Sequence, residues 1–259
     1  MENVGWLDVK EKKKLTDAEG NFDVLIPLSM ILGFAEDYRK IVVNAEHELT
    51  LTRSKTDVNA IMQTQEEEFK ITINAVEWLI PYLKLADQKK VDLLNFIQRN
   101  PPISISFHRW ELYEYPSLPT TSKHVWTVKT STQLEKPRYA ILGFQTSRKN
   151  KTGKNASHFD HCNITDVKLF LNSQSYPYGN LNLNISRNLY ALPDEMHANF
   201  QATYYDKNPE PLLRKSEFLQ DVPLFVIDCS KQNESLRYGP VDIRLEFEAK
   251  ANFLAETPA

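Results

Sequence analysis

The feature that most constrains the fold of this chain is an alternation of apolar and polar residues that recurs in short runs. In one of the clearest runs, Ile103, Ile105 and Phe107 alternate with polar residues. A period of two is typical of a strand with one buried face, because successive side chains of a strand point to opposite sides. Loops rich in Pro, Gly, Asn or Ser separate about nine or ten such runs. The pattern therefore predicts an all-β chain.

The predicted strands share this alternation or a short apolar core. They are residues 22–27, 40–54, 69–83, 103–115, 124–131, 138–146, 166–174, 181–186, 223–230 and 241–249. Helices are predicted between them at three places: after Asp87 as a cap, from Pro193 as a first helical residue, and after Ser216 as a cap. The predicted fold class is a jelly-roll β-sandwich, or a pair of them, with two or three short helices inserted in loops.

The domain organisation follows from changes in composition along the chain. Residues 1–20 are charged and weakly patterned, so we predict a flexible N-terminal segment. A first β block, or partial first jelly roll, is predicted over residues 21–118. The turn-rich sequence PSLPTTSK marks the boundary, and a second jelly roll is predicted over residues 122–254.

Charge and cysteine content limit the classes of partner and compartment. The net charge of −3 and the pI near 6.1 give no overall attraction to nucleic acid or to an anionic membrane. We expect no membrane partner and only weak or indirect contact with nucleic acid. Two cysteines and an N-terminus without an apolar signal segment predict a protein that is not secreted. The Asn-x-Ser/Thr sequons that start at Asn155, Asn163, Asn184 and Asn233 are then accidents of an Asn-rich chain.

Motifs for common enzyme chemistry are absent from the sequence. It contains no G-x-x-x-x-G-K, G-x-G-x-x-G, G-x-S-x-G or H-E-x-x-H, which are the local signatures of phosphate transfer, dinucleotide binding, elbow-type hydrolysis and zinc proteolysis. We therefore predict no enzyme activity, no catalytic residue and no cofactor.

The run HFDHC is the one dense cluster of potential metal ligands. His158, His161 and Cys162 are weak metal candidates, because a structural zinc site needs four ligands and no second cluster completes the set. The favoured interpretation is a loop leading into a strand, in which Asp160 or the histidines hydrogen-bond to nearby backbone groups.

Two loops are candidates for contacts with a partner. The basic loop RKNKTGK is either a solvated hairpin tip or a surface for an acidic neighbour or nucleic acid, and the loop SQSYPYGN carries aromatic side chains. The contact candidates in these two loops are Arg148, Lys149, Lys151, Lys154, Tyr176 and Tyr178. Trp110 and Trp126 are predicted to be core anchors.

Several long segments of the sequence resemble those of one known family. FHRWELYEYP, KHVWTVKTSTQLEKPRYAILGFQTSRKN, FDHCNITDVKLFLNSQSYPYGNLNL and VIDCSKQNESL are similar to double jelly-roll-like domain proteins of invertebrate genomes. Those proteins are themselves similar to the double jelly-roll major capsid proteins of viruses and virus-like mobile elements. Relatives carry an additional N-terminal region and a last β segment that runs further, so we expect this chain to lack part of the first roll and the closing strand.

The resemblance implies a structural role. It predicts a capsid-like protein that associates with itself through jelly-roll surfaces, as a homotrimer or higher assembly, and with other capsid subunits. Such a protein would be found in a virion or virus-like particle, or otherwise in the cytoplasm or nucleus. The alternative is a non-enzymatic jelly-roll binding module that recognises a glycan or a protein through Tyr176, Tyr178 and Trp110.

Overall fold

The structure of this chain is a computed structural model that describes residues 16–42, 45–63, 68–128, 137–205, 208, 214–232 and 241–259. Its described residues divide into two compact units. Unit 1 comprises those of Met1–Thr52 and Ile73–Leu112, and unit 2 comprises those of Arg53–Thr72 and Tyr113–Ala259. Most of the predicted flexible segment 1–20 lies outside the described residues.

Unit 2 contains two antiparallel sheets. Its strands are β1 (Lys123–Val128), β2 (Tyr139–Leu142), β3 (Ile164–Leu171), β4 (Gln174–Tyr176), β5 (Phe225–Asp228) and β6 (Ile243–Ala249). Four of them form one sheet in the order β1-β6-β3-β4, and β2 pairs with β5 in the other. The central pair β3 and β6 aligns Val167 with Phe247 and Leu169 with Leu245. Alternate residues of β3 are buried, as the period of two predicts.

The two sheets share one hydrophobic core. Phe144 is fully buried, and its ring centroid lies 6.3 Å from that of Phe225 in one sheet and 5.2 Å from that of Phe247 in the other. Phe253 completes the group at 5.5 Å from Phe144. Two sheets that bury their apolar faces against each other make a β-sandwich, and Phe144 joins its two halves.

Two helices belong to unit 2, α3 (Ala191–Tyr205) and α4 (Lys215–Asp221). Helix α3 packs against β5, and its Phe200 ring meets Tyr139 of β2 edge to face at 5.0 Å. The Tyr139 hydroxyl donates a hydrogen bond to Thr203 Oγ1 at 2.8 Å. The helix therefore covers the smaller sheet with aromatic contacts rather than with an aliphatic stripe.

Unit 1 contains helices α1 (Gly33–Asp37) and α2 (Asp87–Gln98), with a 3₁₀ turn at Leu28–Met30. His108 fastens α1 to a later segment, since its ring Nδ1 lies 2.7 Å from Asp37 Oδ2 and its backbone N–H donates to the same oxygen at 2.8 Å. The Phe34 and Phe107 rings meet edge to face at 5.5 Å. None of the helices in the described parts of the chain is long and apolar enough to cross a membrane.

The prediction of strands in unit 1 is wrong, because these residues do not pair as hydrogen-bonded strands. Within the described residues of 22–27, 40–54, 69–83 and 103–115, the structure contains no β-ladder. No described residue of unit 1 is buried, and side chains such as Ile73 and Ile105 are largely exposed. An alternating run becomes a strand only where a neighbouring strand satisfies its backbone groups, and the described chain supplies no such neighbour here.

Several local predictions in the loops are also corrected. Residues 181–186 form no strand: Asn182 has a φ of 48°, the Leu181 backbone N–H donates to the Asp166 side chain, and only Leu183 donates its backbone N–H to a β3 carbonyl, that of Thr165. Helix α2 begins at Asp87, which is thus its first residue rather than its cap. Arg214, not Ser216, precedes α4, and Pro193 is the third residue of α3.

Asparagine supplies most of the left-handed turns. Among the described residues, six of the nine non-glycine residues with positive φ are asparagines. They are Asn100, Asn150, Asn163, Asn172, Asn182 and Asn188. Asparagine tolerates this region better than most residues, and Asn172 also uses its side chain there: its Oδ1 accepts a hydrogen bond from the Asp242 backbone N–H at 3.0 Å.

We predict that Phe144→Ala lowers the free energy of unfolding of unit 2 by about 3–5 kcal/mol, because it leaves a cavity between the two sheets. Urea denaturation followed by tryptophan fluorescence measures the change. Val125→Ala is the matched control, since Val125 lies on β1 and is 66% exposed. This change should lower the free energy of unfolding by less than about 1 kcal/mol. Equal losses in the two variants would contradict the role given to Phe144.

Candidate functional site

The basic loop is organised by a pair between Arg148 and Asp160. Arg148 Nε lies 2.9 Å from Asp160 Oδ2, and its Nη2 lies 2.6 Å from Oδ1, so both carboxylate oxygens are engaged. The Thr146 backbone N–H also donates to Oδ2 at 2.6 Å, and the Asp160 backbone N–H donates to the Phe144 carbonyl at 2.7 Å. This fork geometry fixes both ends of the loop to the stretch at Phe144 that follows β2.

The electrostatics of the pair favour the charged forms of both partners. Burial alone would raise the pKa of Asp160, but the Arg148 hydrogen bonds, the Thr146 N–H and nearby positive charges outweigh it and hold that pKa below its ordinary value. The same hydrogen bonds raise the pKa of Arg148 against the effect of its burial. Arg148 is therefore held largely buried in the loop base, unlike the other basic residues of the loop.

The three lysines of the loop lie on its exposed side. Lys149 Nζ is 2.6 Å from Glu114 Oε1, Lys151 Nζ is 3.0 Å from Glu256 Oε2, and Lys154 donates to a backbone carbonyl of the same loop at 3.3 Å. Exposed pairs of this kind contribute little stability and exchange readily with other acidic groups. The lysines thus remain candidates for contact with an acidic partner.

The side chains of the HFDHC run make local contacts in a turn. The Asn163 backbone N–H donates to His161 Nδ1 at 3.0 Å, and His158 Nδ1 lies 3.4 Å from Asp221 Oδ1. Burial lowers the pKa of His161. Within the described parts of the chain, no three His, Cys, Asp or Glu side chains are grouped so that they can hold a metal ion. The structure thus does not bring His158, His161 and Cys162 together as a ligand set.

The two cysteines of unit 2 are free; Cys229 is buried and Cys162 is partly buried. Burial raises the pKa of Cys162 to about 11 and that of Cys229 to about 12. Because the thiolate is the reactive form, neither side chain is prepared for nucleophilic attack. Cys229 packs in the core, while Cys162 lies at its margin.

The second candidate loop presents one tyrosine to solvent and keeps the other near the core. Tyr178 is 91% exposed. Tyr176 packs against the hydrophobic core, and its hydroxyl donates to Gln174 Oε1 at 3.0 Å. Trp126 also packs at the core margin, edge to face with Tyr115 at 5.6 Å. Trp110 is 51% exposed, so its prediction as a core anchor is wrong.

Sequence reasoning missed residues 253–259, which pack beside the basic loop and turn at residues 255–256, where Glu256 has a φ of 57°. On one side, Leu118 N–H donates to Thr257 O at 2.8 Å, and Tyr115 and Ala259 exchange backbone hydrogen bonds of 2.8 and 3.1 Å. On the other side, Gln145 N–H donates to Pro258 O at 3.3 Å. We call these residues the 253–259 segment, and the two flanking stretches, 115–118 and 145–147, the groove.

Polar contacts complete the fit of the 253–259 segment. Thr257 is fully buried; its hydroxyl donates to Leu254 O at 2.8 Å, and its Oγ1 lies 3.4 Å from Thr146 Oγ1. Ser147 contributes a backbone bond of 2.9 Å to Glu256 O. No apolar period marks this segment, because main-chain bonds, a buried hydroxyl and the single buried ring of Phe253 hold it in place.

We predict that Asp160→Asn lowers the free energy of unfolding by about 1–3 kcal/mol near neutral pH, since the largely buried Arg148 loses its charged acceptor. The native pKa of Asp160 is lowered, so this stabilisation is complete above the ordinary aspartate value near 4 and is lost as the pH falls through the native value. Urea titrations between about pH 7 and pH 2 measure the free energy of unfolding of the parent and of the variant. The two free energies should approach each other over the acidic part of that range.

Glu256→Gln is the control for this prediction, because it removes a carboxylate from an exposed pair with Lys151. Its effect on unfolding should be much smaller than that of Asp160→Asn. Equal effects of the two changes, or a difference that does not respond to acid, would refute the role of Asp160 in holding the loop.

We also predict that Cys162 and Cys229 resist thiol reagents in the folded protein. With pKa values of about 11 and about 12, less than roughly one thiol in a thousand is ionised at about pH 8. Ellman's reagent should react slowly with the native chain and promptly with both thiols in urea. A fast phase equal to one thiol in native protein would contradict this expectation.

Comparison with known proteins places the chain in a family. The family model described as the double jelly roll-like domain matches residues 1–259. No curated protein and no solved structure matches the chain. The match confirms the jelly-roll fold class, of which the two antiparallel sheets of unit 2 are the visible part. The chain therefore belongs to the double jelly roll-like domain family.

Proposed function

We propose that this chain is a capsid-like structural protein that associates with copies of itself through jelly-roll surfaces, as trimers or as a shell. Its origin in this proposal is a virus or a virus-like mobile element, and its partners are other copies and other capsid subunits. The protein would reside in a particle, or in the cytoplasm or nucleus before assembly. The proposal assigns it no catalytic step, no cofactor and no direct reading of nucleic acid.

The observation that carries the proposal is the apolar surface of unit 1. Val76 is 67% exposed and Leu79 is 72% exposed, and large apolar side chains are similarly exposed along the rest of the unit. A soluble monomer rarely presents apolar side chains at this density, and such surfaces mark contacts between proteins. Burial of one such leucine contributes about 1.5–3 kcal/mol, so a few of them suffice for a stable contact between subunits.

The family to which the chain belongs also supports the proposed structural role. Double jelly roll-like domains have a fold compatible with a capsid-like role, in which binding surfaces rather than active sites are functional. The high pKa values of the two thiols agree with a chain that does no nucleophilic chemistry.

We predict that Val76→Lys combined with Leu79→Lys weakens self-association at least tenfold, since each change places a charge in an apolar contact. Size-exclusion chromatography with light scattering gives the oligomeric state, and negative-stain microscopy shows particles. Val125→Lys is the control: Val125 is also exposed, but it lies on β1 of unit 2, opposite Glu246.

The outcomes of this experiment separate the possibilities. A parent protein that remains monomeric at all concentrations overturns the proposal. Assembly that survives the double change in unit 1 but not Val125→Lys moves the contact surface to unit 2.

A second function is favoured by one observation, the 91% exposure of Tyr178. An exposed tyrosine in a loop can stack on a sugar ring or pack in a protein pocket. In this alternative the chain is a binding module for a glycan or a protein. A glycan array should then show binding that Tyr178→Ala abolishes. Tyr82→Ala is the control, because Tyr82 is equally exposed but lies in unit 1.

A further inference from the structure

Helix α1 is too short to be stable alone, so it depends on contacts with the later segment around His108. It has five residues, Gly33–Asp37, whereas isolated helices of fewer than about 12–15 residues are marginal in water. The Phe34 ring meets Phe107 edge to face at 5.5 Å, and the His108 backbone N–H donates to Asp37 Oδ2 at 2.8 Å. A change in these contacts therefore also changes the helix.

The first residue of α1 lies directly against the backbone of His108. A Cβ atom added at Gly33 would overlap the His108 carbonyl group. Glycine is the residue that leaves this space free. The helix thus approaches His108 closely at its first residue, and its last two residues, Glu36 and Asp37, contact the imidazole ring.

Both ring nitrogens of His108 face a carboxylate oxygen. Nδ1 lies 2.7 Å from Asp37 Oδ2, and Nε2 lies 3.3 Å from Glu36 Oε2. A neutral imidazole carries one N–H and one lone pair, so in that form one of the two carboxylates faces a lone pair. The imidazolium has an N–H on each nitrogen and presents one to each carboxylate. The geometry is therefore that of a protonated ring.

Two cations also lie near this ring. Arg39 Nε donates to the backbone carbonyl of Glu36 at 3.4 Å, and Arg109, next in sequence to His108, pairs with Glu111 at 2.7 Å. Both arginines are exposed, so water screens their charges. The two carboxylates, in contrast, lie in direct contact with the ring. The local charges therefore favour the imidazolium.

The ionisation of Asp37 supports the same arrangement. The hydrogen bond from the His108 backbone N–H is the main cause that holds the pKa of Asp37 below its ordinary value, and the ring of His108 lowers it further. Asp37 is thus negatively charged throughout the range in which histidine changes its charge.

We propose that His108, as an imidazolium, holds α1 to residues 107–108 and that loss of its proton releases and unwinds α1. The attached form binds one proton more than the released form, so attachment weakens as the pH rises through the range of about 5–8 in which histidine changes charge. The contact is then a pH-dependent device within unit 1. This inference goes beyond the proposed self-association and does not depend on it.

Hydrogen exchange measured by mass spectrometry on the full chain tests this proposal. Exchange of a peptide that covers α1 is compared at about pH 6 and about pH 8, after correction for the effect of pH on the chemical exchange rate. A peptide that covers β6 reports whether unit 2 stays folded. His108→Gln removes the titrating ring and keeps an amide donor. His47→Gln is the matched control, because His47 is an exposed histidine of the same unit.

In the parent and in His47→Gln, the corrected protection of the α1 peptide should fall at least about threefold from about pH 6 to about pH 8. In His108→Gln it should be low and equal at both pH values. Glu36→Gln should reduce the pH response, because a neutral ring satisfies an amide and a carboxylate together. This second variant decides the test if β6 loses protection in His108→Gln.

Three results would overturn the proposal. They are an α1 peptide that is unprotected in the parent at the lower pH, a protection that does not change with pH, and a pH response that His108→Gln and Glu36→Gln leave as in the parent.

Discussion

Each strand of unit 2 depends on a neighbour that satisfies its backbone N–H and C=O groups. The pairing of β3 with β6 over seven residue positions is the centre of this arrangement, because β1 and β4 attach on either side of it. The pairing also sets the inward faces of Val167, Leu169 and Phe247, which meet the second sheet around Phe144. Without the ladder these side chains would have no common plane in which to pack.

The same requirement explains the contrast between the two units. Unit 1 has runs with an equal alternation of apolar residues, yet no ladder is found among its described residues, and none of those residues is buried. Fragments of a sheet without pairing neighbours leave apolar side chains and main-chain groups open to other chains. The apolar exposure of the described residues of unit 1 is therefore the basis of the proposed self-association.

The sequence predicted the elements of unit 2 well because alternation and pairing agree there. The runs at 138–146, 223–230 and 241–249 contain β2, β5 and β6, and the runs at 124–131 and 166–174 overlap β1 and β3. The run at 181–186 failed because a left-handed Asn182 and the Asp166 side chain redirect its backbone. Alternation describes where side chains point, and it carries no information about whether a partner strand is present.

The candidate site was predictable only in part. The loop from Arg148 to Lys154 was correctly placed after a strand, but nothing in the sequence distinguishes Arg148 from the lysines. Arg148 binds Asp160, twelve positions later, and this contact depends on the tertiary structure. The 253–259 segment lacked any pattern, since a buried threonine hydroxyl and main-chain bonds hold it. Hydrogen bonds between distant backbone groups leave no trace in residue type.

The asparagines in left-handed turns have a consequence for how the sandwich forms. The chain has only 7 glycines, and Asn163 and Asn172 occupy the turns at the two ends of β3. An asparagine samples fewer backbone states than glycine in the unfolded chain, so its turn loses less conformational entropy on folding. The turns at both ends of the central strand are thus biased toward their native geometry, and Asn172 favours the register of the β3–β4 hairpin, in which Leu171 pairs with Gln174.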